Sequence, residues 1–222
     1  MKARLPHLAR ISVSVIPLLG AMAHGAVLAE YTFDNNLDPT AGGPANVTPT
    51  TMTTTGFNVA YTLTDPPGGT GNPAAAVTMD QTASSFGSDY YQFMLTPGSG
   101  YTLDLTSLTF LFNVNGSQAA RFELRYDDLS DASGFVVVGM TDAALDTSAL
   151  TANFDLSGAQ FSNLTQGIAF QIHVRDATNS SGNSARIDNV MVNGDVLAVP
   201  EPSVALLAVA GGMGFALRRR RG

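Results

Sequence analysis

The chain is 222 residues long, contains no cysteine and no tryptophan, and carries a formal net charge of −7 at pH 7. The lack of cysteine excludes disulfides, thiol catalysis and zinc–thiolate sites, so any exported fold must be held by its core alone. Seven of the eleven basic residues sit at the two ends, leaving Arg121, Arg125, Arg175 and Arg186 against seventeen carboxylates, a body of about −13 that excludes a nucleic-acid partner.

At the start, Lys2, Arg4 and Arg10 precede an apolar stretch from Ile11 to Leu19 that is interrupted by Pro17. Ala21-Met22-Ala23 then supplies small residues in an A-x-A arrangement. This is the layout of a secretory signal peptide over residues 1–23, to be handled by the Sec translocon and signal peptidase. Val27-Leu28-Ala29 offers a second cleavage point, although cutting there would remove part of a strand. An uncleaved N-terminal anchor is the alternative.

Residues 27–196 form one domain's worth of sequence, long enough to bury a core. Val27, Ala29, Tyr31 and Phe33 alternate with Leu28, Glu30, Thr32 and Asp34, the period of two expected of a strand with one apolar face. Pro39 to Thr55 is rich in Thr, Gly and Pro and is predicted to be a long exposed crossing loop. Leu108, Phe110, Phe112 and Val114 share a face. Asn115-Gly116 follows, a hairpin signal. Phe122, Leu124 and Tyr126 alternate with Arg121, Glu123 and Arg125. Phe135 to Val138 is a denser apolar run, and Asp142 to Ala149 could hold a short helical turn. Ile168, Phe170, Ile172 and Val174 make another apolar face, and Ile187 to Val196 closes the set. About nine or ten strands are readable, joined by turns rich in Gly, Pro, Asn and Ser. The predicted fold is all-β, an antiparallel β-sandwich of jelly-roll-like form.

The end of the chain changes character. Val199-Pro200-Glu201-Pro202 is followed by 15 uncharged residues, Ser203 to Leu217, and then by Arg218-Arg219-Arg220-Arg221. As a helix the apolar run measures about 22 Å, a short membrane span that snorkelling arginines can lengthen. Four arginines hold that end in the cytoplasm, leaving everything before Pro200 outside. This arrangement of residues 199–222 resembles the PEP-CTERM sorting signal of Gram-negative bacteria. Its tripeptide falls on Pro200, Glu201 and Pro202, its membrane helix on residues 203–217 and its basic cluster on residues 218–221. An ordinary C-terminal anchor with a chance Pro-Glu-Pro is the alternative. The resemblance implies a membrane-anchored precursor, recognition by exosortase, and a structural or adhesive role at the cell surface or in an exopolysaccharide matrix.

The body offers little for catalysis. His173 is the only histidine within it, alternates with Gln171 and Arg175 on the polar face of a strand, and is expected at the surface. No Gly-x-Ser-x-Gly elbow, P-loop or dinucleotide fingerprint is present. Paired carboxylates that include Glu30 and Glu123 leave a secreted hydrolase as a distant alternative, and the chain is not expected to be an enzyme. The segment from Ala185 to Val190 is similar to the end strand of many secreted jelly-roll modules, which implies a carbohydrate-binding module with a defined glycan as the nearer alternative. Without tryptophan the candidate sugar contacts are Tyr61, Tyr90, Tyr91 and Tyr101, and the adjacent pair must point to opposite faces. No cofactor is expected beyond Ca²⁺, for which Asp34, Asp188 and Asp195 are the candidate ligands where first and last strands meet, with Asp176 near the end of the preceding strand. The run Asp127-Asp128-Leu129-Ser130-Asp131 is acidic but lacks EF-hand spacing.

Overall fold

The computed structural model describes residues 25–34, 36–40, 43–57, 59–64, 74–78, 86–87, 89–115, 120–141, 150–176 and 184–199. The segments expected to be a signal peptide, a sorting signal from Pro200 onward and a helical turn at 142–149 lie outside them. Among the described residues no helix is long and apolar enough to cross a membrane.

The alternating segments form strands that pack as two six-stranded antiparallel sheets. One sheet runs β10 (Leu150–Asp155), β7 (Tyr101–Asn115), β12 (Ser184–Ala198), β5 (Ala74–Thr78) and β4 (Val59–Thr64), with β1 (Ala26–Tyr31) also paired to β12. The other runs β2 (Val47–Pro49), β6 (Tyr90–Pro97), β11 (Ile168–Asp176), β8 (Ala120–Asp128) and β9 (Val136–Met140), with β3 (Thr53–Thr55) also on β6. From β5 onward the chain crosses between sheets at nearly every connection, which is the jelly-roll-like sandwich that the strand pattern predicts.

With no tryptophan or disulfide, phenylalanines join the layers. Tyr31 of the first sheet meets Phe93 of the second at 5.0 Å between ring centroids, and Phe93 meets Phe170 at 5.5 Å. Phe110 and Phe112 reach across to Phe122 at 5.5 and 4.8 Å. Such pairs add to area burial, and each ring here is almost completely removed from water. The Tyr31 hydroxyl donates to the Thr50 carbonyl at 2.7 Å, which keeps its one polar atom satisfied.

Several expectations need correction. The first strand carries a β-bulge between Val27 and Ala29, so Leu28 is buried and Val27 is exposed, against the simple alternation. Pro39–Thr55 is not one exposed loop: Val47 and Met52 are buried, and β2 and β3 pair with β6 along a sheet edge. Asn115-Gly116 does not join a hairpin, because β7 pairs with β12 and β10 while β8 pairs with β11 and β9 in the opposite sheet. Local turn chemistry cannot report a crossover between layers. The dense apolar run at Phe135–Val138 leads into an outer edge strand and stays exposed.

Gly194 stands where β1, β12 and β7 meet, opposite both Ala26 and Leu105. A Cβ there would overlap the Asp104 carbonyl oxygen and come within 2.9 Å of the Leu105 Cα. Backbone cannot yield as a flexible side chain does. We expect Gly194→Ala to cost about 1–3 kcal/mol through overpacking, measurable as a lowered thermal midpoint. An unchanged midpoint would contradict the three-strand junction.

Candidate functional site

Strand parity builds a polar surface on the second sheet. Phe122 and Leu124 of β8 and Phe170, Ile172 and Val174 of β11 point into the core, so Arg121, Glu123, Arg125, Gln171, His173 and Arg175 point outward. Register aligns them into rows. Tyr90, His173, Glu123 and Met140 lie opposite one another on successive strands, and Gln92, Gln171, Arg125 and Val137 form the next row.

These side chains are held by one another. Gln171 Nε2 donates to Gln92 Oε1 at 2.8 Å, while Gln171 Oε1 faces His173 Nε2 at 2.9 Å. His173 Nδ1 faces the Gly87 carbonyl at 3.1 Å, and the Tyr90 ring lies 5.0 Å away. Arg125 Nε donates to Glu123 Oε1 at 2.6 Å, a pair that is largely shielded from water. Asp89 and Gln171 are buried as well. Polar groups packed this closely are fixed in position, because an unmade hydrogen bond in such surroundings costs about 1–3 kcal/mol.

His173 corrects the expectation of a surface histidine, since it is only 2% exposed. It does face outward, but Tyr90 and the segment at Gly87 cover it. Burial, and then the Arg125 charge, push its pKa down to about 4, against the opposing pull of the Gly87 hydrogen bond. A neutral ring donates from Nδ1 to Gly87 and accepts at Nε2. That requires the Gln171 and Gln92 amides to turn over and pass their donors toward the ring. A protonated ring requires the reverse, so the donor direction of the whole row follows the charge on His173. Among the described residues the ring has no hydrogen bond to a hydroxyl or carboxylate.

The other predicted residues are dispersed. Tyr91 is 0% exposed, with its phenol pKa raised well above normal by burial, so it offers no ring to a sugar. Tyr90 points the opposite way, as the alternation requires. Tyr101 starts β7 on the other sheet, paired with Ala198. It follows the far end of β6, some seven residues or about 23 Å of strand from Tyr90. Tyr61 lies on β4, its side chain outside the described residues, so no common tyrosine platform is seen. Glu30 belongs to the outer surface of the first sheet and Glu123 to that of the second, so both layers separate these two glutamates.

Asp34 and Asp188 do come together. Burial raises the Asp188 pKa to about 6, the Asn189 backbone N–H opposes this, and the Asp34 charge adds to it. Asp195 does not join them: it pairs with Asp104, seven residues or about 23 Å further along β12. Among the described residues no three His, Asp or Glu side chains form a metal-sized group. Asp176 ends β11, in the other sheet from Asp188, and its side chain lies outside the described residues. Parity pointed to Gln171 and His173 from sequence. Gln92 was missed, because its role depends on β6 and β11 being neighbours.

No protein-family model and no curated protein matches the chain. Among solved structures it is similar to a xylan-binding domain of carbohydrate-binding family 22 from Paenibacillus barcinonensis, at 10% identity over 82% of this chain and 100% of that one, with a TM-score of 0.43. It is similar to the carbohydrate-binding and catalytic modules of a Clostridium thermocellum endo-1,4-beta-D-xylanase complexed with xylohexaose, at 15% identity over 75% and 28%, with a TM-score of 0.47. A cleaved adhesin domain of Lys-gingipain from Porphyromonas gingivalis matches at 14% identity over 75% and 97%, with a TM-score of 0.36. Likenesses of this degree identify neither a ligand nor a site here.

Two pH effects follow, with opposite signs. The folded pKa of Asp188 is raised from 3.8 to about 6, so its contribution to stability is present at low pH and lost as pH rises through about 6. Asp188→Asn should therefore raise the thermal midpoint by a few degrees at pH 8 in the presence of EDTA and leave it unmoved near pH 3. A lower midpoint at pH 8 would refute this. For His173 the folded pKa is depressed from 6.5 to about 4, so its contribution is present at neutral pH and lost as pH falls through that window. Replacing it by Gln should cost about 1–2 kcal/mol at pH 7, with the gap to wild type narrowing by pH 4. A gap independent of pH would show that the ring is already charged.

Proposed function

We propose that this chain is an exported, acidic β-sandwich of the cell surface or extracellular matrix that engages polysaccharide through the outer face of its second sheet. The observation that carries the glycan part is that the partly exposed Gln92, Arg125 and Tyr90 share the outer face and are held in place by the buried Gln171, Glu123 and His173, through hydrogen bonds from Gln171 to Gln92 and from Arg125 to Glu123 and the ring contact of Tyr90 with His173. Sugar hydroxyls come in adjacent pairs that planar amide, guanidinium and carboxylate groups can grip two at a time, while a ring supports the apolar sugar face. Groups that are already ordered lose little freedom on binding. The row also supports the alternative of a carbohydrate-binding module with one defined glycan. No catalysis is assigned.

Export and processing rest on the sequence of the two ends. The arrangement of Pro200-Glu201-Pro202, residues 203–217 and Arg218–Arg221 supports handling by exosortase after delivery through the Sec translocon. One structural detail suits this. The last strand ends at Ala198, and the Val199 N–H donates to the Gly100 carbonyl at 2.8 Å, so the motif would leave the body at a defined corner. Calcium at the Asp34 and Asp188 end belongs to the same proposal, since a divalent cation would relieve the repulsion between those carboxylates. Millimolar Ca²⁺ should then raise the thermal midpoint of wild type but not of Asp188→Asn, and an unmoved wild type would argue against the site.

Affinity electrophoresis through gels containing bacterial exopolysaccharide tests the glycan face. Gln171→Ala and Arg125→Ala should each weaken retardation about tenfold, the equivalent of losing roughly 1.4 kcal/mol, with their folds verified by thermal melting. Retardation equal to wild type in both variants, or none in wild type, would refute it.

A further inference from the structure

β9 is an outer edge of the second sheet, and its side chains are apolar and uncharged. Phe135 to Thr141 contains no charge and no proline. Val136, Val137 and Met140 are 44%, 49% and 54% exposed, and Phe135 and Leu129 continue the patch. The opposite edge carries Pro49 and four threonines, Thr48 and Thr53 to Thr55, and β10 carries Asn153 and Asp155. Proline and polar or charged side chains blunt an edge against pairing, and β9 has neither. One bulge near Val138 is its only protection.

We propose that β9 pairs antiparallel with the β9 of a second copy of this chain, about a two-fold axis perpendicular to the sheet. The strand is complementary to itself. Phe135 to Thr141 carries no charge, so in an antiparallel register with itself no charge meets a charge. Pairing supplies the missing backbone hydrogen bonds and covers the exposed valines and methionine. Five exposed apolar side chains, Leu129, Phe135, Val136, Val137 and Met140, make up the patch on each copy. That places the contact among small, reversible interfaces, below the ~1,200 Å² of total buried area at which stable ones begin. Two bodies of about −13 also repel each other, so added salt strengthens the contact.

The consequence concerns the polar face. Val137 and Met140 end the rows that begin at Gln92 and Tyr90. A two-fold perpendicular to the sheet turns both copies' rows toward the same side and makes one continuous surface. Two weak glycan contacts then act together. This last step rests on the polysaccharide proposal, whereas the self-pairing does not.

The chain has no cysteine, so a single introduced thiol is unique. The full-length chain carrying Val137→Cys, in membranes, is treated with a short bismaleimide and run on a denaturing gel, without added glycan. We expect at least about tenfold more dimer than from Thr48→Cys on the opposite edge. The yield should rise with salt and be lost when Met140→Lys is added. Equal yields at the two positions, no dimer, or a yield unchanged by Met140→Lys would each overturn the pairing. Thermal melting confirms that the variants keep the fold, since the replaced side chains lie at the surface.

Discussion

The pairing of β7 with β12 is the interaction on which the other parts depend. These fifteen-residue strands run antiparallel from Asn115 opposite Ser184 to Tyr101 opposite Ala198, which lays the end of the body along its middle. β1 and β5 then complete the first sheet by adding to the free side of β12, and β10 adds to β7. Contacts so distant in sequence must close large loops before they gain anything, so this pairing is expected to limit the folding rate. It also sets the two ends of the account. At one end an irregular stretch between Asp188 and Met191, with Asn189 at φ 48, holds the Asp188 carboxyl under cover near Asp34. At the other it brings Val199 to the corner beside Gly100.

The second sheet is built from the opposite material. Its inner face is Phe93, Phe122, Phe170 and aliphatic residues. Its outer face is amide, imidazole, carboxylate and guanidinium in register. A sandwich needs only its inner faces for stability. Burying Gln171, Glu123 and His173 on the outer one costs desolvation that the hydrogen bonds among them merely offset. A neutral His173 and an ion-paired Glu123 stand opposite each other and are compatible because Arg125, in the adjacent row, pairs with Glu123 while its charge disfavours a proton on His173. Three of the four arginines of a strongly acidic body sit on this face. It therefore carries most of the positive charge of the body.

Much of this was legible in the chain. Alternation at 121–126 and 168–174 gave the facing of β8 and β11 residue by residue, and it separated Tyr90 from Tyr91. What could not be read depends on partners distant in sequence. Periodicity shows that His173 points away from the core, but not that Tyr90 and Gly87 cover it. It cannot foresee the bulge that exchanges Leu28 for Val27, because one inserted residue reverses the alternation. Asn115-Gly116 has hairpin chemistry, yet the chain leaves its sheet there. The exposure of β9 follows from its place at the end of the sheet order, and nothing in Phe135–Met140 distinguishes an edge from a core strand.

The most direct test is a map of backbone amide shifts in a labelled sample of residues 25–199 titrated with oligosaccharides cut from the exopolysaccharide. The account predicts saturable shifts concentrated at Tyr90, Gln92, Gln171, His173, Glu123 and Arg125, on the outward rows of β6, β11 and β8. Shifts confined to the first sheet, or none at saturating sugar, would contradict it.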